Sequence, residues 1–162
     1  MYTSAGLQDI HERTHRSIRL LLEHLAGLPA ADLHRRLEGF SYPTIALQLH
    51  HVFGAERYWL RIIESGELVL DDDEAQYTTI EALGSLREQV AASTRAFLAG
   101  LSDAEASTPR RVTTYGGNQL DVAPAHVLLR TQTHTYQHHG EIATMLRQLG
   151  HTFPSRLDFP LT

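Results

Sequence analysis

The sequence predicts an all-α protein, a four-helix bundle with a short helix and a small hairpin in its connectors. Three observations lead there. Four long segments carry apolar residues at helical spacing. Capping or helix-breaking residues bound most of them. The chain has 162 residues, 42% hydrophobic and 20% charged, which suits one globular domain over residues 1–162 with one sizeable core.

The first helix is expected from Ser4 to Ala26, with Leu7, His11, Thr14, Ile18, Leu21, Leu22 and Leu25 on one side. The second runs from Tyr42 to Ser65, with Pro43 in its first turn. The third runs from Thr79 to Gly100; Thr78 and Glu81 have the spacing of a capping box. The fourth runs from Val122 to Leu149, with Asp121 as N-cap, Pro124 in the first turn and Gly150 at the end. The connector "GLPAADLHRRLEGFS" holds the short helix. "RRVTTYGGNQLDV" places β-prone residues on both sides of a Gly-Gly-Asn turn, the pattern of a hairpin. The third connector, residues 66–77, is acidic and long enough to cross a helix length; its run 71–74, "DDDE", reads as a solvated loop because it lacks EF-hand spacing.

The formal net charge of −5 gives no electrostatic footprint for nucleic acid or an anionic membrane. No window approaches the roughly 18 apolar residues of a membrane span. The N-terminal segment lacks the apolar core of a secretory signal, so a cytoplasmic location is expected. With no cysteine, thiolate metal sites and a cysteine nucleophile are excluded, and any thiol chemistry needs a cosubstrate.

Against this background, 11 histidines is a high count. Helical phase sorts them, at about 100° per residue. In the second helix His50 falls with Gly54, Arg57, Arg61 and Glu64 on a solvated side, whereas His51 lies at the edge of the side carrying Gln48, Val52, Ala55, Trp59, Ile62 and Ile63. In the fourth, His134 and His138 share the buried side with Thr131 and Thr135. They are four residues apart, so they stack on one face and can converge on one ion. Burying imidazoles without partners costs free energy. A divalent ion held by His51, His134 and His138, with an open coordination position, supplies the partner. His50 and His139 are expected at the surface or a pocket rim, and His11 as a pocket-wall or hydrogen-bonded core residue. The remaining histidines, including His24 and His34, are expected at the surface. Glu141, one turn past His138, is the candidate catalytic residue, either orienting a ligand imidazole or acting as a base. Glu56 lies on the rim of the second helix's buried face as a buttress. Acid below about pH 6 should release the ion, because imidazole must be neutral to ligate.

"LHHVFGAERYWL" and "HTYQHHGEIATMLRQLG" resemble the DinB/YfiT-like superfamily, which places one histidine on the second helix shortly before Glu and Trp, and HxxxH on the last helix before a Gly-Glu and a Leu-Arg-x-Leu-Gly ending. Mapped residue by residue, the family's ligands fall on His51, His134 and His138. The family often has Arg where His139 stands. The resemblance implies an up-down-down-up metal-binding bundle, commonly a homodimer, with nickel or zinc in the triad. Leu20, on the otherwise polar side of the first helix, is apolar surface left for such a partner. Characterised relatives include bacillithiol- and mycothiol-dependent transferases and a mycothiol-dependent isomerase. The expected function is therefore a metal-dependent enzyme, a thiol S-transferase using a low-molecular-weight thiol cosubstrate or a related hydrolase. A non-catalytic metal- or ligand-binding bundle with a sensor or storage role is the alternative.

Overall fold

The computed structural model describes residues 2–69, 73–154 and 157–161. Four long helices form it: α1 (Ser4–Leu25), α3 (Ile45–Ser65), α4 (Ile80–Ala99) and α6 (Pro124–Gln148), with the short α2 (Ala30–Leu33) and α5 (Asp103–Ser107) and an antiparallel hairpin of β1 (Arg110–Thr113) and β2 (Gln119–Val122). The hairpin turns at Gly117, whose φ of 77° is the left-handed conformation that glycine adopts without a Cβ penalty. Asp71 and Asp72 of the acidic run lie outside the described residues; Asp73 Oδ1 accepts from the Ala75 amide and caps a 3₁₀ turn at Glu74–Gln76.

Neighbouring pairs fix the helix directions. Ser4 bonds to Leu98 and His15 to Arg87, so α1 and α4 are antiparallel. Gln48 meets Glu141 while Ile62 and Ile63 pack with Val127, so α3 and α6 are antiparallel. Glu56 meets Thr94, and Phe97 packs on Ile62 and Ile63, so α3 and α4 are parallel. Tyr2 meets His126 and His24 meets Thr152, so α1 and α6 are parallel. The order is up-down-down-up. The apolar stripes of all four helices meet in a core built around Ile18, Leu21, Leu25, Leu49, Phe53, Leu83, Leu86, Ile142 and Leu146. No helix among the described residues is long and apolar enough to cross a membrane.

Several helix starts differ from expectation, each for a local reason. Thr44 caps α3 by accepting from the Leu47 amide, which leaves Pro43 outside the helix. Thr79, not Thr78, caps α4 through the Ala82 amide; the Thr78 carbonyl is taken by His34 Nε2. α6 starts at Pro124 with no side-chain cap, because Asp121 belongs to β2, where it is bidentate to Arg111 across the hairpin. The sequence reading missed α5, although Ser102 and Glu105 close a full capping box there.

Candidate metal centre

α3 and α6 bring His51, His134 and His138 together. His134 Nε2 lies 3.3 Å from His51 Nε2 and 3.1 Å from His138 Nε2. Among the described residues this is one of two groups whose spacing could hold a metal ion. Three nitrogens bound tetrahedrally to one ion at about 2.0–2.1 Å lie about 3.3 Å apart along each edge. The observed separations match that edge. His138 is buried, and His51 and His134 are half-buried.

The orientation of His138 is set behind it. Gln48 Nε2 donates to Glu141 Oε2 (2.6 Å) and to the Tyr42 carbonyl (2.9 Å). Both partners only accept, so this amide end is the nitrogen and the other must be Oε1. Oε1 faces His138 Nδ1 and accepts a hydrogen bond from its N–H. The neutral imidazole then carries its lone pair on Nε2, which points at the other two histidines. Tyr42 also stacks on the His51 ring at 3.9 Å and 18°. Burial, followed by the neighbouring histidines, pushes His51 down to about 4. His134 is lowered by burial, His138 and Arg130, and His138 by burial against the opposing pull of Glu141. All three are therefore neutral at physiological pH, the state that ligation requires.

Glu141 lies 3.5 Å from His138 Nδ1, behind the ring relative to the Nε2 cluster. Sequence reasoning placed Gln48 on the buried face and gave it no role. A fully buried amide needs partners, and that was the available signal. Replacing Gln48 by leucine is expected to weaken metal binding about 10–100-fold, read by competition with a chromophoric chelator. Unchanged affinity would show that His138 needs no such orientation.

The second group, His11, His15 and Glu56, is buried, and its carboxylate is already hydrogen-bonded. Glu56 Oε1 accepts from Thr94 Oγ1 (2.7 Å) and His11 Nε2 (3.1 Å), and Oε2 accepts from His15 Nε2 (3.0 Å). Arg87 Nε donates to His15 Nδ1 at 3.1 Å. An arginine N–H only donates, so His15 Nδ1 must be the lone pair and Nε2 must carry the proton. Moving that proton to free Nε2 for a metal would set two N–H groups against each other. Arg87 thus closes this group to an ion, whereas Gln48 opens the triad to one. Burial alone would raise Glu56, but His15 and His11 outweigh it and hold the carboxyl well below its usual range.

Four expectations are corrected here. His50 is 8% exposed, not solvated, because α3 packs on α4 as well as α6 and the His50 ring lies against Tyr77 at 5.2 Å. His139 is buried beneath the chain end: Leu157 sits in the core, Ser17 Oγ donates to its carbonyl, and Arg13 donates to that of Pro160. His15, counted with the surface histidines, is fully buried, and Glu56 is 3% exposed rather than at a rim. His11 is the hydrogen-bonded core residue expected.

These burials make a pH prediction. Burial pushes His139 down to about 4 and lowers His15 from its usual value; His51 is at about 4 in the metal-free protein. The unfolded chain protonates all three near pH 6.5, so the folded state binds fewer protons. The stability they contribute is complete above that pH and is lost as pH falls towards 4. The chelator-treated protein should therefore melt progressively lower from about pH 6.5 to 4.5. A flat melting temperature over that window would contradict these protonation states. The same depressed values move acid release of a bound ion below the pH 6 expected from free imidazole.

The triad opens on a cavity of about 360 Å³, lined by His51, His134, Tyr58, Trp59, Tyr115 and Arg130 among others. A helical bundle with convergent neutral histidines and a ligand-sized cavity is the class that fold and site define. The DinB family model matches residues 1–162, the whole chain. The chain belongs to the DinB family. A comparison with curated proteins returns no match.

Proposed function

We propose that the protein is a metal-dependent S-transferase. A nickel or zinc ion is held by Nε2 of His51, His134 and His138, and a low-molecular-weight thiol is the cosubstrate. The observation that supports this reading most is the tetrahedral edge spacing of His134 Nε2 from the other two nitrogens at the wall of a cavity. His51, His134 and His138 would hold the ion, which would supply a Lewis acid that favours the thiolate form of a thiol. In the transfer a C–S bond would form between the thiol sulfur and an electrophilic carbon held between the cavity walls, the leaving group would depart with its electron pair, and the thiol proton would pass to solvent.

No carboxylate lines the cavity among the described residues. A thiol, with a pKa of about 8.5, would need no general base to ionise at a metal. On this reading Glu141 acts as a positioning residue through Gln48. The homodimer is part of the proposal, with Leu20, 43% exposed, as apolar surface on α1. A monomer mass at every concentration in sedimentation would remove it.

Metal-replete protein assayed with bacillithiol, mycothiol and glutathione against a generic electrophile tests the activity. Turnover with one of them, lost on chelation, is expected. Stoichiometric metal without turnover would instead favour a non-catalytic metal-binding bundle.

A further inference from the structure

Arg130 is the only side chain of fixed charge among the described residues lining the cavity. It is one helical turn before His134 on α6, so both project from the same face, with Cβ atoms about 5–6 Å apart. The guanidinium lies over the face of Trp59, 5.3 Å from the ring centroid. Such a cation–π contact holds the group in place without neutralising it, and leaves the N–H fork to a ligand. Among the described residues the lining offers three aromatic walls, Tyr58, Trp59 and Tyr115, and no carboxylate. On the metal reading, three neutral imidazoles leave the ion's two positive charges uncompensated as well. Among the described residues the cavity wall thus carries a positive charge with no carboxylate facing it, and Glu141 lies behind His138 rather than in the cavity.

We propose that this cavity takes a small carboxylate with a flat apolar body. Arg130 binds the carboxylate through its N–H fork, and Tyr58, Trp59 and Tyr115 flank the body. The far end of the molecule then lies one helical turn away, beside His134 and His51. Arg130 is a specificity residue for the substrate of the proposed site. The inference rests on that site for its location but not on the metal for its recognition step, because Arg130 is charged whether or not an ion is bound.

Trp59 is the only tryptophan in the chain and reports on the cavity directly. The test compares phenylacetate with phenylacetamide, alike in shape and different in charge, in metal-loaded and chelated protein. Binding is read by Trp59 emission and by line broadening of the ligand's proton NMR signals, with metal content measured in each sample. The chelated wild type should bind phenylacetate about 10–100-fold more tightly than the amide, the worth of one charge-assisted contact. Arg130→Met should bring the two to near parity, and Arg130→Lys should retain part of the preference; neither should change metal content. Equal affinities in the wild type would overturn the proposal, as would a preference that survives Arg130→Met or no saturable binding of phenylacetate at millimolar concentration. Failure to take up metal would count against the S-transferase reading alone, because the chelated titrations stand without it.

Discussion

Replacing Glu56 by alanine is expected to destabilise the protein by about 3–5 kcal/mol, the range for removing one partner of a buried charged network. The carboxylate receives hydrogen bonds from Thr94, His11 and His15, and His15 passes the link on to Arg87. Without it, two N–H groups of α1 and the Thr94 hydroxyl of α4 lose their acceptor, and the Arg87 charge loses the anion it faces across His15. Glu56 is 3% exposed and Arg87 is 1% exposed, so water does not replace what is lost. Domains are stable by only about 5–15 kcal/mol, so this is a large fraction of the total. Urea unfolding at neutral pH measures it. A loss under about 1 kcal/mol would mean that the network contributes little net stability and that a hydrophobic core could replace it.

The second large effect concerns the triad. An ion present at 1,000 times its Kd adds about 4 kcal/mol to the folded state, because the unfolded chain does not hold three imidazoles together. For a chain of this length that raises Tm by roughly 8–16 °C over the chelated protein. The His134→Ala, His138→Ala double variant removes two of the three nitrogens, and its melting temperature should not respond to zinc or nickel. His50→Ala should keep the response, because its ring lies against Tyr77 and not in the Nε2 cluster. A wild type whose melting temperature ignores both metals would remove the metal reading. A double variant that still responds would place the ion elsewhere.

Much of this was legible in the sequence because it depends on periodicity. The apolar stripe of α1, from Leu7 to Leu25, is buried as phase predicts. The inward turn of His51, His134 and His138 follows from counting along two helices. What was not legible depends on a partner that helical phase does not contain. His139 is buried beside Leu157, in the segment after α6, and hydrogen-bonds to its backbone. His50 is buried because α3 is flanked on two sides, so its supposed wet face meets α4 and the connector at Tyr77. His15 and Glu56 meet across two helices and take their roles from Arg87 on a third. Asp121 has the chemistry of an N-cap, yet a bidentate pair with Arg111 draws it into the hairpin.

The two buried histidine groups differ in what stands behind them. Gln48 accepts a hydrogen bond from His138 Nδ1 and so frees Nε2 for an ion; Arg87 donates one to His15 Nδ1 and so keeps Nε2 protonated. An anomalous difference map from crystals of zinc- or nickel-loaded protein tests this distinction most directly. The account predicts one peak, about 2.0–2.1 Å from Nε2 of His51, His134 and His138, and none at His11, His15 and Glu56. A peak at the second group, or none at the triad in protein that melts higher with metal, would contradict it.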